Sequence, residues 1–409
     1  MSTTFKYSVR DTGGKLVTGT LDADSEAAVA RKLLQMGYAP VSITSNAGTG
    51  LQKDVAIPGF KARVKLKDLA VFSRQFATMV NSGLSLLRAL AILGEQTESK
   101  ELARVIAEVR NDVETGSALS VSMAKHPDAF PPLMINMIKA GEVGGFLDSV
   151  MLQIAENFES EVKLRGKVKS AMTYPIVVFV MAMIMCAIML IFIVPVFAGM
   201  FSQLGGQLPF PTQVLVYASN ILQWAAPFLV VGLIAGAIVW RRVKGQERVR
   251  NVVDPIKLKT PVFGSLFQKI ALSRFSRNLG TMMKSGVPIL QSLDIVADTT
   301  GSVVVAHAVR DVQQSVRGGE SLAAPLTEHK VFPAMVVQMM AVGEETGALD
   351  TMLLKISDFY DQEVEATTEQ LTALIEPLMI GFLGVVVGGM VVALYLPIFK
   401  IMDVIGGQA

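Results

Sequence analysis

Residues 72–90 read FSRQFATMVNSGLSLLRAL, and residues 275–293 read FSRNLGTMMKSGVPILQSL. The two stretches agree at nine of nineteen positions, where chance gives about one. The chain therefore carries an internal repeat. Its offset is 203 here and becomes 202 after a one-residue deletion. At that second offset Phe130-Pro131 meets Phe332-Pro333, Gly141-Glu142 meets Gly343-Glu344, and Pro175 and Pro195 meet Pro377 and Pro397. The copies span about 66–201 and 269–402.

Each copy ends in a stretch that reads as a membrane crossing. From Ala171 to Trp240 there is no Asp, Glu, Lys, Arg or His, and a spanning helix needs only about 20 apolar residues. The run is long enough for two crossings, and the turn-forming stretch Ser202 to Thr212 (SQLGGQLPFPT) divides it. Spans are predicted at 171–201 and 214–240, with a loop at 202–213 between them. A third uncharged run, 377–399, follows Glu376 and is closed by Lys400. Lys163, Arg165, Lys167 and Lys169 precede the first pair, while Arg241, Arg242 and Lys244 follow it. By the positive-inside rule both of these flanks are cytoplasmic. Two copies of like orientation need an extra crossing to return the chain, and the unpaired span at 214–240 supplies it. Hydropathy and repeat thus give three crossings by separate routes, with a tail at 400–409 outside.

The cytoplasmic part of each copy, 66–170 and 241–376, reads as helix throughout. In the first copy punctuation falls at Asn81-Ser82-Gly83, Thr115-Gly116-Ser117 and Pro131-Pro132. Ser85 and Ser117 suit N-caps, and Pro131 or Pro132 suits a first helical turn. About six helices follow, the last starting near Phe146 and running unbroken to Pro175 as a stem into the bilayer. Each compact part is expected to be an antiparallel helical bundle. Ahead of them, Phe5, Tyr7 and Val9 alternate, Asp11 to Gly14 form a turn, and Leu16 to Leu21 follow as a second strand. A helix from about Ser25 ends at Gly37, and Val41 to Ile43 return as a strand. This makes a small α+β domain over 1–45, joined by a linker at 46–65. The fold class is mainly α: two repeated cytoplasmic bundles, three transmembrane helices and the N-terminal α+β domain.

Composition agrees. Charged residues make up 18% of the 409 and apolar ones 51%, and the mean hydropathy is +0.47; soluble domains need more charge to cover their surface. A net charge of +2 argues against a nucleic-acid partner, which needs clustered Lys and Arg in excess. The single cysteine, Cys186, excludes an intramolecular disulfide framework. The N-terminus has no apolar core behind a basic start, so no cleaved signal peptide is expected. No G-x-x-x-x-G-K-[ST] loop occurs, and His126, His307 and His329 form no H-E-x-x-H. His126 and His329 are repeat-equivalent, which favours a loop role. No catalytic residue, metal ligand or cofactor is expected, and the spans lack the ionisable groups of an ion relay.

The stretch Lys167 to Pro195 (KVKSAMTYPIVVFVMAMIMCAIMLIFIVP) resembles the signature of the type II secretion F family, which includes inner-membrane platform proteins of type IV pilus machines. Lys167 stands eight before the proline, Tyr174-Pro175 makes the central pair, and Pro195 lies twenty further on. The resemblance extends to Gly141-Glu142, Gly343-Glu344, the Glu376-Pro377 pair, Pro397 and the N-terminal domain; Gln35 after Leu34 departs from the common Leu-Arg. It implies a non-enzymatic platform in the bacterial inner membrane with a cytoplasmic N-terminus. It also implies the partners: a hexameric assembly ATPase, pilin or pseudopilin subunits leaving the bilayer, other inner-membrane components and further copies of itself. The alternatives within that class are a secretion or DNA-uptake pseudopilus. Outside it stand a small-solute transporter, disfavoured by apolar spans, and a membrane-anchored enzyme, disfavoured by the missing constellations.

Three pairs of residues have two readings each. Glu142 and Glu344 are either carboxylates at a contact between modules or copies, able to hold a divalent cation, or acids at a helix N-terminus. Arg74 and Arg277 are either contacts for the ATPase or internal salt bridges. Pro195 and Pro397 either kink or end the spans near the outer face, or act as hinges. The G-x-x-x-G steps at Gly232/Gly236 and Gly384/Gly388 would allow close helix packing. At the 202 offset Lys163 corresponds to Glu365 and Lys167 to Glu369. Either the basic stem meets anionic lipid headgroups, or the two stems lie side by side, within one chain or across a dimer, with these charges setting their register.

Overall fold

A computed structural model describes residues 3–10, 16–23, 26–35, 39–45, 64–203, 208–243, 246–261 and 263–406. The expected turn at 11–14, the helix end at Gly37, residues 46–63 of the linker, the middle of the loop at 204–207 and residues 407–409 lie outside them. Two compact units result, residues 1–62 and 63–409. In the first, strands β1 (Thr3–Arg10), β2 (Leu16–Ala23) and β3 (Ala39–Ser45) form an antiparallel sheet in the order β2-β1-β3. Phe5 lies opposite Leu21 and Val9 opposite Val17. The register against β3 slips after Ser8, so that Val9 faces Pro40. A proline cannot donate to a ladder and is tolerated at such an edge irregularity. Helix α1 (Glu26–Gln35) buries Val29 and Leu33, four residues apart on one face.

The second unit is helical, and its element bounds repeat. In order come α2 (Leu66–Asn81), α3 (Leu86–Gln96), α4 (Lys100–Glu114), α5 (Leu119–Ala124), α6 (Pro132–Gly144) and α7 (Leu147–Ile188). A π-turn at Met189–Ile193 leads into α8 (Val194–Gln203), then α9 (Phe210–Val243) and α10 (Glu247–Lys259). The later helices are α11 (Phe263–Lys284), α12 (Ile289–Thr299), α13 (Val303–Arg317), α14 (Ala334–Thr346) and α15 (Leu349–Gly406). Adding 203 to the bounds of α3 and α4 gives those of α12 and α13, and adding 202 to α6 gives α14. The glycines obey the same rule. Gly83 (φ 80°) and Gly286 (φ 71°) end the first helix of each copy, and Gly145 (φ 74°) and Gly347 (φ 69°) end the fifth element. At Gly83 the chain closes with Leu84 N–H on the Met79 carbonyl and Gly83 N–H on that of Val80, a left-handed C-cap that a side chain would strain.

One element differs. Where Ser122 N–H bonds the Ala118 carbonyl inside α5, the second copy has Pro325, which has no N–H to give. A short 3-10 turn, Pro325–Glu328, replaces the helix. Ser85 occupies an N-cap position as expected, but Ala118, not Ser117, precedes α5, and Pro132 is the first residue of α6.

A single apolar core runs through both copies. Phe72 packs on Phe130 with ring centroids 6.0 Å apart, and their equivalents Phe275 and Phe332 at 5.1 Å. Polar bonds join the copies at the edge of this core: Arg274 to Glu161 at 2.7 Å, Asn157 to Asn278 at 3.2 Å and Gln291 to Asn136 at 2.8 Å. His126 faces Glu108 at 3.5 Å and His329 faces Asp311 at 3.3 Å, each holding its loop to the third helix of its copy.

Among the described residues, three helices are long and apolar enough to cross a membrane, within Leu147–Met200, Phe210–Val243 and Leu349–Pro397. The stem helix α7 does run from Leu147 without interruption through Pro175. Neither Pro195 nor Pro397 ends its helix, since α8 continues to Gln203 and α15 to Gly406; a π-turn stands just before Pro195 and the third apolar span closes at Pro397.

Candidate functional site: helix crossings, stems and a membrane joint

The Gly-Glu steps work as a unit in each copy. Gly141 sits where α6 crosses the start of α7; a Cβ there would stand 3.1 Å from Val150 Cγ2 and 3.2 Å from Leu147 Cα. At Gly343 it would stand 3.0 Å from both Leu349 Cα and Met352 Cγ. A side chain at either glycine would push the crossing helices apart by a few tenths of an ångström. The next residue turns the other way. Leu119 N–H donates to Glu142 Oε1 at 2.5 Å, and Ser120 N–H donates to Oε2 at 3.1 Å, as does the Ser120 hydroxyl. Glu344 accepts from Leu322 N–H at 2.8 Å, Ala323 N–H at 3.3 Å and the Ser321 hydroxyl at 3.1 Å.

Each carboxylate therefore caps the preceding element from a distance, replacing the side-chain cap that Ala118 cannot provide. Both sequence readings change. Glu142 lies near the C-terminal end of α6, not at the N-terminus of its own helix, and its two oxygens are engaged within its own copy by N–H and O–H donors. No group of three or more His, Cys, Asp or Glu stands close enough to hold a metal among the described residues.

Arg74 is paired with Glu159 at 2.5 Å, tying α2 to α7. This bond raises the Arg74 guanidinium above its ordinary range. Its equivalent Arg277, on α11, is paired with Asp361 of α15, and Asp361 is the equivalent of Glu159 at offset 202. Ser273 also donates to Asp361 at 2.6 Å. The same tie is more deeply set in the second copy, where Arg277 is buried. Arg74 keeps an exposed edge; Arg277 does not.

The stems α7 and α15 lie against one another. Leu164, Val364 and Leu371 share an apolar cluster with Leu266, and Lys167 pairs with Glu365. Lys163, Lys167, Asp358, Asp361 and Glu365 line one cleft between the stems. The partner of Lys167 is thus one helical turn before its repeat-equivalent, Glu369, which is exposed. The helices meet with a one-turn stagger. Tyr174 and Glu376 are exposed, while Pro175 and Pro377 lie inside unbroken helices. We expect Lys167→Glu to weaken the stem contact and Glu365→Lys to restore it, while Glu369→Lys does not. The pair is partly exposed and contributes only ~0.2–1 kcal/mol, so the readout is disulfide trapping between cysteines placed across the stems.

Further along the first and third spans, three backbone carbonyls among the described residues lose their helical partners. Pro195 has no N–H for the Ile191 carbonyl. Before it the helix widens into the π-turn, and Val194 N–H bonds Met189 O, one residue further back than in an α-helix; this frees the Leu190 carbonyl. In the third span Pro397 likewise leaves the Ala393 carbonyl free. Helix α9 supplies all three missing donors. Gln223 Nε2 donates to Ile191 O at 2.9 Å, Ser219 Oγ to Leu190 O, and Thr212 Oγ1 to Ala393 O at 2.5 Å. Thr212, Ser219 and Gln223, spaced by seven and four, share one face of α9. Hydrocarbon offers no water to satisfy such groups. The helix that the repeat leaves unpaired therefore joins the two repeated spans. Sequence reading missed these donors; the signal was that three of the polar side chains in the first half of α9 recur at helical spacing on one face.

Two matches to one family model, Type II secretion system (T2SS), protein F, cover residues 72–195 and 275–397, and the N-terminal domain of the same protein is matched at residues 1–44. The chain is 44% identical over 405 residues to the Type IV pilus assembly protein PilC of Thermus thermophilus, covering 99% of both chains. It is 42% identical to the protein of that name from Myxococcus xanthus, over 98% of this chain and 95% of the relative. The Type II secretion system protein F of Xanthomonas campestris is 31% identical, over 98% of this chain and 99% of the relative. Whole-length identity at this level, with two matches at the repeat positions, places the chain in the Type II secretion system protein F family.

Proposed function

We propose that this chain is a non-enzymatic inner-membrane platform that couples a cytoplasmic hexameric assembly ATPase to the incorporation of pilin subunits into a type IV pilus. The observation that carries this reading is whole-length similarity to two proteins named for type IV pilus assembly, at 44% and 42% identity. The architecture suits the role. Each copy's helices pack on one continuous stem, so a displacement of the bundle passes along a stiff rod into a span. The two bundles, 66–170 and 241–376, are the cytoplasmic working parts and the small domain at 1–45 sits on the same side. Further copies of the chain and other inner-membrane components complete the machine. The second reading, a secretion platform, is favoured by the full coverage of the Xanthomonas relative.

The purified chain should show no ATP turnover alone and should raise the turnover of the assembly ATPase. In a deletion strain, loss of surface pili with secretion intact supports the pilus reading, and the converse supports the secretion reading. Intrinsic hydrolysis that co-purifies quantitatively with the chain would refute the platform role. Orientation is tested separately. In a Cys186→Ser background, cysteines at Gly205 and Gln408 should be labelled from outside and those at Gly48 and Gly319 only after lysis. Labelling of Gly319→Cys in intact cells would overturn the three-crossing topology.

A further inference from the structure

Helix α10 precedes the repeated part of the second copy, and its two faces differ. Its inner face is satisfied within the protein: buried Asp254 takes Lys257 at 3.3 Å, Arg250 at 3.8 Å and Val303 N–H, at the start of α13, at 3.3 Å. Its outer stripe is Arg248, Val252, Ile256 and Lys259, all exposed. Val252 and Ile256 are 60% and 58% exposed and stand four residues apart, one above the other. The surrounding charge is one-sided, with seven basic residues and two acidic ones between 241 and 259. Its position is fixed by Trp240 near the end of α9: Trp240, Val249, Arg250, Val253 and Lys257 line one cavity. The middle of α10 therefore passes beside the end of a span.

We propose that α10 is an interfacial helix that docks on anionic lipid headgroups of the leaflet at the basic end of α9, with Val252 and Ile256 inserted and Arg248 and Lys259 on the phosphates. Three observations support this occupant over a protein partner. The apolar pair is flanked by basic residues on the same stripe, which is the pattern of helices that lie in the interface. The helix stands beside a Trp that marks the headgroup level. Lysines and arginines just beyond a span are drawn to the negative surface of such a leaflet. The inference rests on α9 being a membrane span but not on the pilus role.

The test uses the full-length chain with Cys186→Ser, carrying a fluorophore at Val252→Cys or Ile256→Cys. Both sites are exposed, so labelling does not disturb the core. The chain is placed in nanodiscs of phosphatidylcholine alone or of equal parts phosphatidylcholine and phosphatidylglycerol, each containing lipid spin-labelled near the glycerol end. Strong quenching is expected at both sites in the anionic discs and much less in the neutral ones. A label at Val143→Cys, at the end of α6 next to the start of α7, whose Leu147 lies roughly 36 Å along that helix from Ala171 by helical rise, should not be quenched. Replacing Arg248 or Lys259 by Gln should lower the docked-to-free ratio about fivefold for each charge at low salt. Equal quenching in both lipids, or none in either, would overturn the proposal. So would shielding of both sites from a soluble quencher in both lipids without lipid quenching, which would indicate a protein partner on this face.

Discussion

Gly343→Val should destabilise the second copy by about 1–3 kcal/mol, the usual cost of forcing methyl groups into a packed contact. A Cβ at this position would already stand 3.0 Å from Leu349 Cα, which is backbone and cannot turn aside. Helices α14 and α15 must then separate. Separation moves Glu344 as well, because it is the next residue on α14, and its bonds to Leu322 N–H and Ala323 N–H are lost together. The substitution should therefore cost more than Glu344→Gln, which keeps the crossing and one acceptor oxygen. Thermal melting of the purified chain checks the order, and protease cleavage within 318–331 reports the released segment. Equal stability of Gly343→Val and the parent chain would mean that the crossing is not close. Ala at Gly141, where the contacts are 3.1 and 3.2 Å, should be milder.

This coupling explains what the sequence could and could not reveal. The Gly-Glu step was visible at equivalent positions, and so was its importance. Its role was not, because the cap acts across 22 or 23 residues and periodicity reports only neighbours on the same helix. Helix bounds were legible where Gly or Pro marks an end, as at Gly83 and Pro132. Arg74 and Arg277 were legible as a pair, but the salt-bridge partners needed the stem helices to be placed beside them. For the stems, repeat equivalence matched Lys167 with Glu369, whereas space matches it with Glu365. Equivalence states which positions share a role within each copy; a staggered packing of two helices then decides which positions meet. Pro195 and Pro397 were legible as breaks in the pattern, but the persistence of the helix through them was not. A proline interrupts a helix because it has no N–H to give and its ring crowds the carbonyl four residues back. In a bilayer the helix persists when a neighbouring side chain satisfies that carbonyl.

That last difference yields a test that a general loss of stability cannot mimic. Removing the three α9 donors together, by Thr212→Val, Ser219→Ala and Gln223→Leu, should cost about 2–5 kcal/mol, at ~0.6–1.7 kcal/mol for each intramembrane bond. On the proposed platform role filament assembly should fall with it, since α9 bonds both repeated spans near Pro195 and Pro397. The decisive measurement pairs each donor with the proline that creates its need. Pro195→Ala returns an N–H to the Ile191 carbonyl, so Gln223→Leu should be harmful with Pro195 present and nearly neutral in the Pro195→Ala background. Thr212→Val should depend in the same way on Pro397 and not on Pro195. The cross-combinations, Gln223→Leu with Pro397→Ala and Thr212→Val with Pro195→Ala, should be additive, because the bonds are separate. If Gln223→Leu costs the same with and without Pro195, then Gln223 acts by packing alone and the proline carbonyl is satisfied in some other way.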